Sequence, residues 1–262
     1  MKDFCVWVQD TLSNFRAHIA IFSLLLVLLC VIFFSNSART GQQSFVVSSF
    51  NIQWNGENHE NSLRYIKESK ADILVLQEVT EALRSEINEY RSTFPHQLGS
   101  GHSHVMVLSK HELEFVSYLP WPGKFQNRAM HVKCNINGRC INIIGIHLQV
   151  TRTWNEIGIR DQQIATLIAS VSKLTDPVAV VGDFNASVGS SVLRRIQHKT
   201  GLQSNTSLCK YLGTWPANSG LLAIQLDHCL VKAPLAVTDM ALGPRLDSDH
   251  KPVTADISWI NS

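Results

Sequence analysis

Sixteen consecutive residues, Ile19–Phe34, carry one polar side chain, Ser23, and no charge. No polar face exists on this run, which argues against a helix half-buried on a water-soluble core. At about 1.5 Å per residue it makes roughly 24 Å of helix, and Ala17, His18 and Ser35 extend it toward a ~30 Å hydrocarbon layer. Lys2 and Arg16 precede the run and Arg39 follows it. The positive-inside bias then sets residues 1–17 in the cytoplasm and the rest of the chain outside, in the periplasm. The favoured reading is a retained single-pass anchor over residues 18–35. The alternative is a cleaved signal peptide, which would make the protein secreted. Ser35-Asn36-Ser37-Ala38 offers a small-x-small pattern for it, while the long leading stretch with Asp3 and Asp10 speaks against it.

Residues 36–44 are polar and small, as in a linker, and residues 45–262 make up the globular part. Hydrophobic residues at 45% and charged residues at 17% exclude a disordered chain. No repeat or heptad array is present, which excludes solenoid and coiled coil. The formal net charge is +2, which argues against a nucleic-acid binder that relies on a broad basic face. Six cysteines are too few for a disulfide scaffold.

Strand-like and helix-like segments alternate through the globular part. Residues 45–52, 72–78, 105–108, 113–119, 178–181, 226–231 and 252–259 read as strands. Residues 61–70, 80–91, 156–173 and 190–198 read as helices, with Thr80 a candidate N-cap. Residues 130–135 and 139–147 flank Asn137-Gly138, the strongest short hairpin signal. In that register residue 134 faces residue 141, so Cys134 and Cys140 point to opposite faces and do not pair. Hairpins and helices together predict mixed sheets with helices outside.

Five polar motifs stand at predicted strand ends, where loops present side chains over a site. They are Ser49-Phe50-Asn51-Ile52-Gln53, Leu76-Gln77-Glu78, Gly145-Ile146-His147-Leu148, Gly182-Asp183-Phe184-Asn185, and Leu226-Asp227-His228 together with Ser248-Asp249-His250. Each alone is ordinary: a Glu closing a strand is commonly solvated, and Gly-Asp-x-Asn commonly makes a turn. The set, in this order and spacing, resembles the endonuclease/exonuclease/phosphatase superfamily with its DNase I-like fold. The resemblance covers residues 45–262. Arg160-Asp161-Gln162, Gly213-Thr214-Trp215-Pro216-Ala217 and Gln225-Leu226-Asp227-His228 resemble a bacterial membrane-associated branch.

The resemblance implies an α/β four-layer sandwich of two mixed sheets flanked by helices, and a Mg²⁺-dependent phosphoesterase. Mn²⁺ would be the substitute metal. It implies Glu78, Asn51 and Asp249 as metal ligands, Asp183 as the base that activates water, and Asn185 on that water or on a phosphate oxygen. His250 and His147 become phosphate-side donors, and Asp227 polarises a site histidine. Arg128 is a further phosphate contact, with a plain surface arginine as the alternative. Gln53 stands where abasic-site nucleases of the family carry Asp, which favours one metal over two. Cleaving an inert, anionic diester calls for this chemistry: charge neutralisation, a positioned water and stabilisation of the crowded transition state.

The expected partners are a phosphate-ester substrate, in nucleic acid or a phospholipid head group, and the lipid bilayer. No protein partner is expected. The alternatives are a phosphomonoesterase and a catalytically inactive scaffold. Against the scaffold, Asn51, Glu78, His147, Asp183, Asn185, Asp227, Asp249 and His250 all carry competent side chains. His102 and His104 read as a solvated loop, with lining the cleft as the alternative; Trp121 and Trp154 read as packing residues, with stacking on a base or inserting in a lipid surface as the alternative.

Overall fold

Runs rich in Val, Ile and Leu form strands, and Thr or Ser caps open most helices, across the described residues: 43–56, 58–99, 104–122, 128–204 and 212–260 of the computed structural model. Six strands make one sheet: β1 (Ser44–Asn51), β2 (Ile73–Gln77), β3 (His96–Leu98), β4 (Val105–Ser109), β10 (Leu235–Leu242) and β11 (Val253–Trp259). Their order is β10-β11-β1-β2-β4-β3. Five strands make the other, in sequence order: β5 (Leu113–Tyr118), β6 (Ala129–Ile136), β7 (Arg139–His147), β8 (Val178–Asp183) and β9 (Asp227–Val231).

Each sheet holds one parallel pair, β1 with β2 and β7 with β8. A parallel pair needs a crossover. Helices α1 (Glu60–Glu68) and α3 (Trp154–Ser172) supply the two crossovers. Helices α2 (Glu81–Asn88) and α4 (Ser191–Thr200) complete the set. Thr80 caps α2 as expected, its hydroxyl accepting from Leu83 N–H at 3.3 Å. Thr153 and Glu156 form a reciprocal capping box on α3.

The two sheets face each other across one core, where Val47, Val75 and Val107 pack with Val132, Ile143 and Val181. Leu63, Ile66, Leu83 and Ile87 of α1 and α2 cover the outer face of the first sheet. Ile164, Leu167, Val171 and Ile196 of α3 and α4 cover the second. The result is the expected four-layer α/β sandwich. Gly145 lets the sheets approach, because a Cβ there would meet Val75 Cγ1 at 2.8 Å.

Asn137 and Gly138 take φ of 52° and 83°, the twist that a two-residue hairpin needs. Cys134 lies opposite Ile141, buried, while Cys140 is exposed. Cys134, Cys140 and Cys229 are free thiols. Burial pushes Cys134 up to about 11 and Cys229 up to about 12. Trp121 packs in the core as expected. Trp154 does not. It opens α3, where no layer lies outside it, and stands exposed.

Among the described residues no helix is long and apolar enough to cross a membrane. The apolar run Ile19–Phe34 lies outside the described residues, as do residues 1–17, residues 36–42 of the linker, His102 and Cys209.

Candidate active site

Strand register gathers the motifs at one edge of the sandwich. Asn51 is the last residue of β1 and pairs with Gln77, after which comes Glu78. His147 ends β7 opposite Asp183, which ends β8, and Asp183 in turn faces Asp227 at the start of β9. His250 precedes β11 by three residues. Residues as far apart in the chain as Trp54 and His250 thus share a cleft of about 860 Å³.

The backbone is bent to this end. Four non-glycine residues among those described have positive φ; two of them, Glu78 and Asn185, line the cleft, and a third, Gln53, backs it through Asn51 and Asp249. The fourth is the hairpin residue Asn137. Such conformations cost roughly 1–3 kcal/mol each and persist where surroundings over-determine them. Those surroundings are visible. Glu78 Oε1 accepts from Asn51 Nδ2 at 3.1 Å, and Glu78 Oε2 accepts from Trp54 N–H at 3.1 Å. Gln53 N–H donates to Asn51 Oδ1 at 3.0 Å, and Gln53 Oε1 accepts from Asp249 N–H at 2.9 Å. Gly182 takes φ of 148°, and a Cβ there would strike the Ile146 carbonyl oxygen.

Asp183 is the hub. Its Oδ1 accepts from Asn185 N–H at 2.8 Å and its Oδ2 from Asn51 Nδ2 at 3.2 Å. His147 Nε2 and His250 Nε2 each lie 3.7 Å from Oδ2. His250 Nδ1 donates to Asp227 Oδ2 at 2.8 Å. Burial raises the Asp183 carboxyl to about 7, against the pull of His250, with Asp227 adding to the rise. Burial alone would lower His250, but the Asp227 and Asp183 carboxylates outweigh it and push His250 up to about 10. His147 goes the other way: burial, with Arg128, His250 and His104 beside it, holds it well below the ordinary histidine value. The cleft therefore pairs a cationic His250 with a neutral His147.

All nine sequence-predicted residues meet here. Glu78, Arg128, His147, Asp183, Asn185, Asp249 and His250 line the cleft. Asn51 and Asp227 support it from behind through the hydrogen bonds above. Asn51 turns its amide nitrogen to Glu78 and Asp183, while its oxygen holds Gln53 N–H. In this arrangement it positions the two carboxylates. Asn185 Nδ2 donates to the Leu148 carbonyl at 2.8 Å. Asp249 Oδ2 accepts from Trp215 Nε1 at 3.0 Å.

His104 is exposed, as the solvated-loop reading has it, and it also lines the cleft, as the alternative reading has it. Partial burial and the neighbouring Arg128 lower it. Sequence reasoning missed Trp54 and Trp215 as parts of the site. Gln53 sits inside a quoted motif, and its strained φ is a tertiary property. His228 is also a support, with its Nε2 2.8 Å from the Ala186 carbonyl next to Asn185.

The donor set suits a hard divalent cation. Four carboxyl groups, Glu78, Asp183, Asp227 and Asp249, stand in or behind a cleft whose cations among the described residues are Arg128, Arg152 and His250. An anionic diester would be repelled there without a further positive charge. Asp227 Oδ1 is buried without a hydrogen-bond partner among the described residues. Asp183, Asp227 and His250 hold donor atoms within 4.8 Å of one another. However, the His250–Asp227 hydrogen bond already engages Nδ1. Glu78, an oxygen donor open to the cleft, fits Mg²⁺ better.

The model of the Endonuclease/Exonuclease/phosphatase family matches residues 48–250. No curated protein matches the sequence. Solved structures share the fold at low identity. D. rerio TDP2 complexed with single-strand DNA product is 15% identical, with 84% of this chain and 100% of that one covered at a TM-score of 0.65. A beta toxin variant from Staphylococcus aureus with bound magnesium ions is 16% identical, with 84% and 100% covered at 0.61. Sphingomyelinase C from Streptomyces griseocarneus is 18% identical, with 84% and 100% covered at 0.57.

Proposed function

Because the chain belongs to the endonuclease/exonuclease/phosphatase family of metal-dependent phosphoester hydrolases, we propose that it cleaves phosphodiesters by in-line attack of water. We further propose that residues 18–35 anchor it to a membrane with the catalytic domain outside the cytoplasm. The observation that carries the catalytic reading is the line Asp227–His250–Asp183, a cationic imidazole between two buried carboxyl groups.

His250, held at Nδ1 by Asp227, directs its Nε2–H toward the cleft and donates to a non-bridging phosphate oxygen. Arg128 provides a second positive contact for the same group. Asp183 takes the proton of the attacking water; a carboxyl raised to about 7 is close to the ideal for a base working near neutral pH. Asn51 and Asn185 hold its two oxygens in place, so the water is aimed as well as deprotonated. Neutral His147 sits 3.7 Å from both Glu78 Oε1 and Asp183 Oδ2, and hands the substrate a donor without adding charge. Glu78 and Asp249, which both line the cleft, would hold Mg²⁺ or Mn²⁺, which would supply charge neutralisation for the phosphate.

The test is hydrolysis of a soluble chromogenic diester by the full chain, with Mg²⁺ and then with EDTA, against His250→Ala. Turnover that needs Mg²⁺ and vanishes in the variant supports the reading. Equal turnover in His250→Ala, or none from the folded wild type with any divalent cation, refutes it.

A further inference from the structure

Nine large hydrophobic side chains stand exposed among the described residues, and six of them either line the cleft or stand within three residues in the chain of side chains that do. Trp54 and Ile224 line it. Trp154, 90% exposed, and Ile157 stand on the first turn of α3 between or beside Arg152 and Glu156, which also line it. Leu221 and Leu222, 95% and 85% exposed, lie in a loop closed by the antiparallel pair Trp215 and Ile224.

That loop is firmly built. Ile224 N–H donates to the Trp215 carbonyl at 2.6 Å and Leu222 N–H to the Ser219 carbonyl at 2.9 Å. It is tied to the site itself, with Ala217 N–H on the Asp249 carbonyl at 2.7 Å and Trp215 Nε1 on Asp249 Oδ2. The leucines are thus held in water on a bonded scaffold. Single exposed apolar residues are ordinary, but a cluster rimming a polar cleft marks an interaction surface.

We propose that Leu221, Leu222, Ile224, Trp54 and Trp154 form a docking rim that seats the cleft on a lipid bilayer, so that the site receives phosphodiesters carried by lipid head groups. This rests on the phosphodiesterase reading. Leucines suit the acyl boundary, and tryptophan suits the head-group level. Nucleic acid would ask for aromatic stacking platforms within a strongly basic groove. Here the tip is aliphatic, and beyond the linker 20 basic residues stand against 19 acidic ones. Covalent reach permits docking on the bilayer that would hold Ile19–Phe34. The ten steps from Phe34 to Ser44 span at most ~35 Å. β1 takes roughly 23 Å from Ser44 to its cleft end at Asn51.

The test places the full chain in phosphatidylcholine vesicles, with and without brominated acyl chains, and reads tryptophan fluorescence. Wild type, Trp154→Phe and the double variant Leu221→Ser/Leu222→Ser are compared. Bromine should quench the Trp154 share of the signal in wild type, and the double variant should lose that quenching with an unchanged melt. The double variant should also turn over a fluorogenic diester with an acyl tail at least tenfold more slowly, while a soluble diester is cleaved at the wild-type rate. Equal quenching in wild type and double variant overturns the rim. So does quenching of Trp154 by single-stranded DNA in place of brominated lipid. Failure to cleave either diester, with rim-dependent quenching intact, refutes the phosphodiesterase reading and the lipid substrate but supports the docking surface.

Discussion

His250 Nδ1 lies 2.8 Å from Asp227 Oδ2, while its other ring nitrogen faces Asp183 Oδ2 at 3.7 Å. One imidazole is thereby clamped between a partner that orients it and a carboxyl that shares the cleft with it. This arrangement distinguishes two chemically identical carboxyl groups: Asp227 is engaged by the histidine, and Asp183 is raised to about 7, which suits the role of base proposed for it.

Asp227→Asn should remove the charge that keeps His250 near 10 and lower turnover at neutral pH by about 10²- to 10⁴-fold. The sign follows from the raised value. A raised histidine is charged below its folded value and loses that charge as pH rises through about 10. The alkaline limb of the wild-type pH–rate profile should lie near there, and in the variant it should move toward the ordinary value of about 6.5. An unmoved limb would show that Asp227 does not hold the imidazolium.

Asp183→Asn should abolish turnover yet raise stability at alkaline pH. The folded state binds the Asp183 proton more tightly than the unfolded chain, with a value of about 7 against 3.8. Wild type therefore loses stability as pH rises from about 4 to 7, and an amide has nothing to lose there. In EDTA, the melting temperature of the variant minus that of wild type should grow across this window and level off above it. A flat difference would mean that the carboxyl is not strained by burial.

Glu78→Gln should raise the Mg²⁺ concentration needed for half-maximal turnover at least tenfold. It should also erase the Mg²⁺-induced rise in melting temperature that mass action predicts for a metal bound only by the folded state. The metal-free melt should fall by a few degrees, because an amide cannot accept from both Asn51 Nδ2 and Trp54 N–H, yet the protein should stay folded. A retained Mg²⁺ shift would transfer the metal to the Asp183, Asp227 and His250 cluster.

Gly182→Ala should cost more than about 2 kcal/mol in urea unfolding, because the new methyl meets the backbone carbonyl of Ile146, which cannot rotate away. Turnover per folded molecule should fall too, since Gly182 immediately precedes Asp183. A neutral substitution would show that β7 and β8 separate easily.

Much of the fold was legible because period and turn chemistry are local. Asn137-Gly138 demands its hairpin, Thr80 its cap, and the buried runs at 73–77 and 178–183 their strands. Two strands were not legible. β3 is three half-buried residues at a sheet edge, too short for a period to register. β10 begins with alternation at Leu235 and Val237, but a bulge between Val237 and Asp239 breaks it before Met240.

The candidate site divides along the same line. The types and order of Asn51, Glu78, His147, Asp183, Asn185, Asp227, Asp249 and His250 belong to the sequence alone, as does the apolar run Ile19–Phe34. Side-chain chemistry and strand-end position are written residue by residue. Which carboxyl burial raises, which histidine is pushed up and which down, that Asn51 turns its nitrogen to Glu78, and that Trp54 and Ile224 line the cleft were decided only by tertiary structure. These properties depend on burial and on neighbours far away in the chain. Dehydration and charge act through space, and the sequence does not list what lies within a few ångströms.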